Sequence, residues 1–205
     1  MEEIIFGSYP QKPDEYVNGK RISIVDGKPQ FNPLENQPIE WLVVSEDEEK
    51  MLLVSKHILE CLPFNDWDTF DISWENCTLR AWMNGAFKYD EKSFADYFTE
   101  EEKSNVLPHE ETGDCFFLLS LEEVIRFLPS NHDRKSALTA NAAFRLPETF
   151  KTLREGGNCS WWLRTASDEA DRFTMIVDSK GMYSKHGEMN NMKGTGVRPA
   201  VWIKK

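Results

Sequence analysis

The sequence predicts an α+β fold in a single domain, with antiparallel strands at both termini and helices in the middle. Apolar segments bounded by turn residues gather toward both ends, while capping boxes and a helical apolar period mark the centre. No internal repeat, low-complexity tract or linker divides the 205 residues. Strands at both ends with helices between them suit a domain whose termini meet in one sheet.

Taken in order, Ile4 to Tyr9 has the apolar and aromatic content of a strand. Arg21 to Phe31 reads as a hairpin, with Ile22 and Ile24 alternating before the turn pair Asp26-Gly27. Ile39 to Val44 and Met51 to Val54 form a second hairpin around an acidic loop, Ser45 to Lys50, too polar for a core. Leu79, Trp82, Met83 and Phe87 follow the spacing of one helix face, with Asn76 as the expected N-cap. Thr99-x-x-Glu102 and Ser120-x-x-Glu123 match the capping box. The second opens a helix through Leu121, Val124, Ile125 and Leu128 that Pro129 stops. Cys115 to Leu119 reads as a short buried strand feeding that helix. The last third returns to β structure at Ser160 to Thr165, where an extended chain puts Trp161 and Trp162 on opposite faces. Phe173 to Val177 and Met182 to Lys185 flank the turn Asp178 to Gly181, and Val197 to Ile203 reads as one closing strand that Pro199 marks as an edge or bulge.

Composition narrows the function classes. A chain that is 40% hydrophobic and 12% aromatic folds around an apolar core. With 35 acidic against 24 basic residues the net charge is -11, and such a field repels phosphate. No basic stripe is present, so neither nucleic acid nor membrane is expected as a partner. The N-terminal MEEIIFGSYPQ lacks the basic and apolar regions of a signal peptide, and no stretch reaches the ~20 apolar residues of a membrane helix. Cys61, Cys77, Cys115 and Cys159 are widely spaced and form no CxxC pair. The expectation is a reduced, cytoplasmic protein whose cysteines are buried free thiols.

Catalytic and metal signatures do not assemble. The chain has no GxxxxGK[ST], GxSxG or HExxH, and its four histidines are isolated. Asn65-Asp66-Trp67-Asp68 with Asp71 looks calcium-like, but an EF-hand begun at Asp66 puts Phe70 at position five and Asp71 at the turn glycine. That leaves a solvated loop with a helix-capping Asp, or a loose oxygen site. Cys77 and Cys159 are the candidates for a reactive thiol, without a histidine nearby in sequence. No catalytic residue, metal or cofactor is assigned.

Arginines embedded in apolar segments are more distinctive: Arg80 in Thr-Leu-Arg-Ala-Trp, Arg164 in Trp-Trp-Leu-Arg, and Arg198 in Gly-Val-Arg-Pro. An arginine among core residues needs carboxylates, carbonyls or aromatic faces. One reading is a buried network tying helix to sheet, with Glu40 or Glu75 as partners. The other is a carboxylate- or carbonyl-binding pocket walled by Trp82, Trp161 and Trp162. The candidate binding set is Arg80, Trp82, Asn84, Trp161, Trp162, Arg164 and Arg198.

The blocks IFGSYPQ (5–11), PIEWLV (38–43), LVSK (53–56), WENCTLRAWMN (74–84), FLLS (117–120), WWLRT (161–165) and GVRPA (196–200) resemble, in order, a bacterial domain-of-unknown-function family of the Firmicutes type. Against that pattern, residues 12–37 look like a hairpin insertion. More distantly, a Gly-Gly-x-x-x-Trp strand, a hairpin and a terminal Gly-Val-Arg-Pro strand resemble C-type-lectin-like folds, which include the formylglycine-generating (sulfatase-modifying) proteins. The calcium-lectin Trp-Asn-Asp signature and the oxidases' paired cysteines have no clear counterpart here. The resemblance implies a fold with its termini in one sheet. The expected function is a non-catalytic module binding a small molecule or a protein. A divergent cysteine-dependent enzyme, oxidase or hydrolase, is the alternative.

Overall fold

The structure, a computed structural model, describes residues 1–11, 15–17, 20–25, 28–30, 36–89, 92–146, 157–168 and 171–205. The chain is mixed α+β. Its elements run β1 (Glu3–Pro10), β2 (Glu15–Val17), β3 (Lys20–Val25), β4 (Lys28–Gln30), β5 (Asn36–Glu46), β6 (Lys50–Ser55), β7 (Glu60–Cys61) and α1 (Thr78–Met83). A 3-10 turn (Ala95–Tyr97), α2 (Glu100–Asn105), β8 (Val106–Leu107), α3 (Leu121–Phe127), α4 (Asn131–Arg134) and α5 (Ala140–Arg145) follow. The chain finishes with β9 (Trp161–Ala166), β10 (Phe173–Val177), β11 (Tyr183–Met189), β12 (Gly196–Val197) and β13 (Ala200–Lys204).

One sheet has the order β1-β5-β6-β13-β8, so the first and last strands share it, as the sequence predicts. A second runs β11-β10-β9-β12-β7, and β2-β3-β4 make a small third sheet. The β3–β4 pairing agrees with the first expected hairpin, although its turn, Asp26-Gly27, lies outside the described residues. The β5–β6 and β10–β11 hairpins form where expected. In the latter turn Gly181 has φ +83 and donates its amide to the Asp178 carbonyl. A side chain there would collide with the Asn131 carbonyl oxygen, 2.0 Å from the ideal Cβ.

Three expectations need correction. Val197 to Ile203 is not one strand: β12 belongs to the second sheet, β13 to the first, and the chain crosses between them at Arg198-Pro199. Proline has no amide for a ladder, but its carbonyl accepts from Ser55, while Val197 accepts from Leu59. Cys115 to Leu119 forms no strand. Only Phe117 pairs, exchanging both main-chain bonds with Ala200. The N-cap of α1 is Cys77, whose sulfur accepts the Arg80 amide; Asn76 instead binds the Ser73 amide and Asp71 carbonyl one turn earlier.

Both anticipated capping boxes form, at Thr99/Glu102 and Ser120/Glu123, and Ser130/Asp133 adds a third. Helix α1 spans only Thr78–Met83, and Phe87 packs half-buried beyond its end. The core joins both sheets through Trp41, Leu52, Val54, Phe64, Phe117, Trp161, Trp162 and Val177. Burying such side chains contributes about 1.5–3 kcal/mol each before chain entropy is charged against it.

Candidate functional site

The arginines of the sequence analysis lie in two places. Arg198 sits at the crossing between sheets and is 0% exposed. Its Nε donates to the Ser55 carbonyl at 2.9 Å, its Nη1 to the Arg134 carbonyl at 3.2 Å, and its guanidinium faces the Trp161 ring at 5.0 Å. Nη2 has no protein hydrogen-bond partner among the described residues. Burial lowers its pKa to about 10, and it remains a cation at neutral pH. Carbonyl dipoles and an indole face supply the compensation, rather than a carboxylate.

Arg80 and Arg164 belong to a second cluster. Arg80, on α1, binds both oxygens of Asp114 at 2.8 and 3.0 Å through Nε and reaches the Glu75 and Thr112 carbonyls. Asp114 also accepts the Trp74 indole at 2.7 Å. Arg164, on β9, pairs with Glu123 and Glu111 and donates to the Leu118 carbonyl. The Nδ1 of His109 accepts the Glu111 and Thr112 amides, which puts the ring proton on Nε2, 2.9 Å from Glu123. Burial alone would raise the Glu123 carboxyl, but His109 and Arg164 hold it down at about 2. The acids are Asp114, Glu111 and Glu123, not the Glu40 or Glu75 carboxylates of the sequence reading; Glu40 pairs instead with Lys56, beside His57. Asp114, Glu111 and Glu123 are remote from the arginines in sequence, and only the fold brings them together.

Among the described residues, the tryptophans wall no open pocket. Trp82 is 3% exposed, and Trp161 and Trp162 are both 0%. Strand β9 is covered on both faces, and its indoles donate to the Arg134 and Leu62 carbonyls. Asn84 is fully engaged at the end of α1. Its amide binds the Arg80 and Phe116 carbonyls, and its oxygen accepts the Cys115 and Phe116 amides. It also lines a cleft of about 490 Å³ with Asp96, Lys103, Asp114 and Cys115.

Open space of another kind lies on the outer face of β1 and β5. Ile39 and Trp41 point inward at 0% exposure, so the alternate residues Glu3, Ile5, Glu40 and Leu42 face out. Residues 132–140 stand opposite as a second wall. Between them lie two clefts of about 500 and 400 Å³, and His57 lines both. The first is framed by Ile5, Gln11, Pro38, Glu40 and Leu138; the second by Glu3, Lys56, His132 and Lys135. Lys56 bridges Glu3 at 2.8 Å and Glu40 at 3.3 Å, and the His57 imidazole lies 3.7 Å from Glu40. Burial, then the neighbouring Lys56 charge, lowers the His57 pKa below its usual value, so the ring is neutral at pH 7.

Residues 48–205 match the family described as a domain of unknown function, DUF6273. The chain belongs to the DUF6273 family. No curated protein and no solved structure matches it. The DUF6273 segment opens at Glu48, in the β5–β6 loop, and contains the arginine clusters, His57 and residues 132–140. Glu3, Ile5, Gln11, Pro38 and Glu40 lie ahead of it, so the furrow joins DUF6273 residues on one side to preceding residues on the other. No sequence signal marks this furrow, because its residues come from four separated segments and His57 has no ligand-type spacing.

Cysteine chemistry finds little support in the geometry. Cys77 is buried, and its thiol is pushed up to about 12 by burial despite its place at the start of α1. Cys61 and Cys159 are buried, whereas Cys115 is exposed, a correction to the expectation of four buried thiols. Among the described residues no group of three His, Cys, Asp or Glu side chains could hold a metal ion. No helix among them is long and apolar enough to cross a membrane.

Proposed function

We propose that this DUF6273 chain is a non-catalytic binding module whose ligand, a small molecule or a protein segment, occupies the furrow on either side of His57. The observation that carries this reading is the junction of two clefts at one imidazole, with a carboxylate, an ammonium and apolar walls around it. Pockets of this size, apolar with a few convergent polar groups, suit ligand capture. His57 is neutral near pH 7 and can donate or accept a hydrogen bond, and Glu40 beside it favours a donor on the ligand. Among the described residues no hydroxyl or thiol is hydrogen-bonded to the imidazole, which supports binding rather than nucleophilic catalysis. A C-type-lectin-like arrangement belongs to the same proposal. It is supported by the terminal strands sharing one sheet and by the loop-rich stretch between them.

The test is a fragment screen by ligand-observed NMR on the full chain and on a Leu138→Trp variant that fills the first cleft. Hits that bind the parent chain and are lost in the variant, with the unfolding midpoint retained, support the furrow. Hits insensitive to Leu138→Trp and to His57→Ala place the ligand elsewhere and overturn the reading.

A further inference from the structure

The stretch 66–71 links the second sheet to α1 and exposes two aromatic rings where the fold does not require them. Trp67 is 60% exposed and Phe70 61%. The loop is nevertheless tightly anchored. Asn65 is 1% exposed; its amide donates to the Asn190 carbonyl, its side-chain oxygen accepts the Thr78 amide, and its Nδ2 holds the Trp67 carbonyl at 2.9 Å. The Asp66 amide is fixed by the Thr78 hydroxyl, the Thr69 amide by the Trp67 carbonyl, and the Asp71 carbonyl by Asn76. Asp71 holds φ +56, the one non-glycine residue at positive φ among those described. A backbone held this firmly presents its aromatics in a set geometry, and presenting large apolar rings to water is costly unless something covers them.

The chemistry of that partner can be read from the loop itself. Carboxylates interleave with the rings: Asp66, Trp67, Asp68, Phe70, Asp71. One half of this arrangement already holds a cation. The Arg172 guanidinium carbon stands 3.9 Å from the Phe70 ring centroid, and Nη1 lies 3.2 Å from both oxygens of Asp68. A carboxylate beside an aromatic face recognises a guanidinium by charge, hydrogen bonding and the ring quadrupole together. Trp67, the better aromatic for this purpose, carries no cation among the described residues. The surrounding field is negative, since the chain carries -11, and it steers basic partners inward. A neutral sugar also stacks on indole, but it returns no charge to the carboxylates it desolvates.

We propose that the 66–71 loop is a docking surface for an arginine- or lysine-bearing segment of a partner protein, with Trp67 receiving the cation as Phe70 receives Arg172. This surface is separate from the His57 furrow, and either can fail without the other.

The probe is a fluorescein-labelled nine-residue peptide alternating glycine and arginine, followed by anisotropy with the full chain. The same peptide with citrulline for arginine keeps the shape and removes the charge. The expected result is binding of the arginine peptide, weakened about tenfold or more by Trp67→Ala, and no binding of the citrulline peptide. Trp67→Ala should leave the unfolding midpoint in place, because the ring is mostly exposed. A Tyr183→Ala variant, which removes an exposed ring elsewhere, should bind like the parent and so separates the loop from general attraction of a polycation to an acidic chain. Equal binding by parent and Trp67→Ala, or binding of the citrulline peptide, overturns the proposal. So does quenching of Trp67 by a neutral oligosaccharide without peptide binding, or a dimer in sedimentation that Trp67→Ala converts to monomer.

Discussion

The guanidinium of Arg198 faces the indole of Trp161 at 5.0 Å, at the point where the chain passes from one sheet to the other. The Arg134 carbonyl receives both residues, at 3.0 Å from the Trp161 indole and 3.2 Å from Arg198. Arg198 thus joins β6, α4 and β9 through carbonyls and a ring. Arg198→Ala leaves the Ser55 carbonyl without its side-chain donor and opens a cavity, at an expected cost of about 3–5 kcal/mol in urea unfolding. Arg198→Met fills most of the space and carries no buried charge, so it should cost clearly less. Equal losses for the two variants, or a loss under about 1 kcal/mol for alanine, would contradict a pinning role.

Glu123 closes the α3 capping box and anchors His109 and Arg164. Its folded pKa of about 2 lies below the ordinary 4.5. The depressed value means that its contribution, on the order of 3 kcal/mol, is present above pH 4.5 and is lost as pH falls toward 2. Glu123→Gln should therefore destabilise the protein at neutral pH and flatten the acid limb of its stability profile. Parallel acid limbs for the two proteins would show that another group governs it.

Thiol reactivity discriminates binding from cysteine catalysis. In the native protein Cys115 should label with maleimide, more slowly than a free thiol, because burial and then Asp114 raise its pKa. Cys61, Cys77 and Cys159 should react only on unfolding. Rapid native labelling of Cys77 or Cys159, read by peptide mass mapping, would restore the enzyme alternative.

Gly181 and Gly113 both hold positive φ, but only Gly181 faces a backbone carbonyl within van der Waals range. Gly113→Ala should cost about 1 kcal/mol, the left-handed strain alone. Gly181→Ala should exceed about 2 kcal/mol, because the α4 carbonyl must also move. Chemical denaturation of the two variants measures the difference.

Most local signals in the sequence agree with the local structure, the Asn76 cap and the Cys115–Leu119 strand being the exceptions. Hairpins β5–β6 and β10–β11 and the Thr99 and Ser120 capping boxes are legible because alternation, turn chemistry and caps act within a few residues. The crossing at Arg198-Pro199 is not, since apolar residues continue on both sides and only the second sheet distinguishes them. Arginine burial could be anticipated from the apolar segments around Arg80, Arg164 and Arg198, but Asp114 and Glu111 become partners through the path of the 109–114 loop and Glu123 through the placement of α3 beside β9. Trp161 and Trp162 read as surface or core with equal ease, and covering both faces of β9 decides for the core. His57 gains its setting from strands and loops far away in sequence, so nothing local announces it.

The division of residues 196–204 between two sheets also orders events in time. β12 sits between β9 and β7, and β13 between β6 and β8, so neither sheet is continuous without this tail. During synthesis, the second sheet remains open in its interior until β12 has emerged, and the first until β13 has emerged. Closure then pairs β13 with β6, which left the tunnel about 150 residues earlier. Folding should accordingly be slow, and a nascent chain stalled before Gly196 should expose the flanks of β6 and β9 to chaperones.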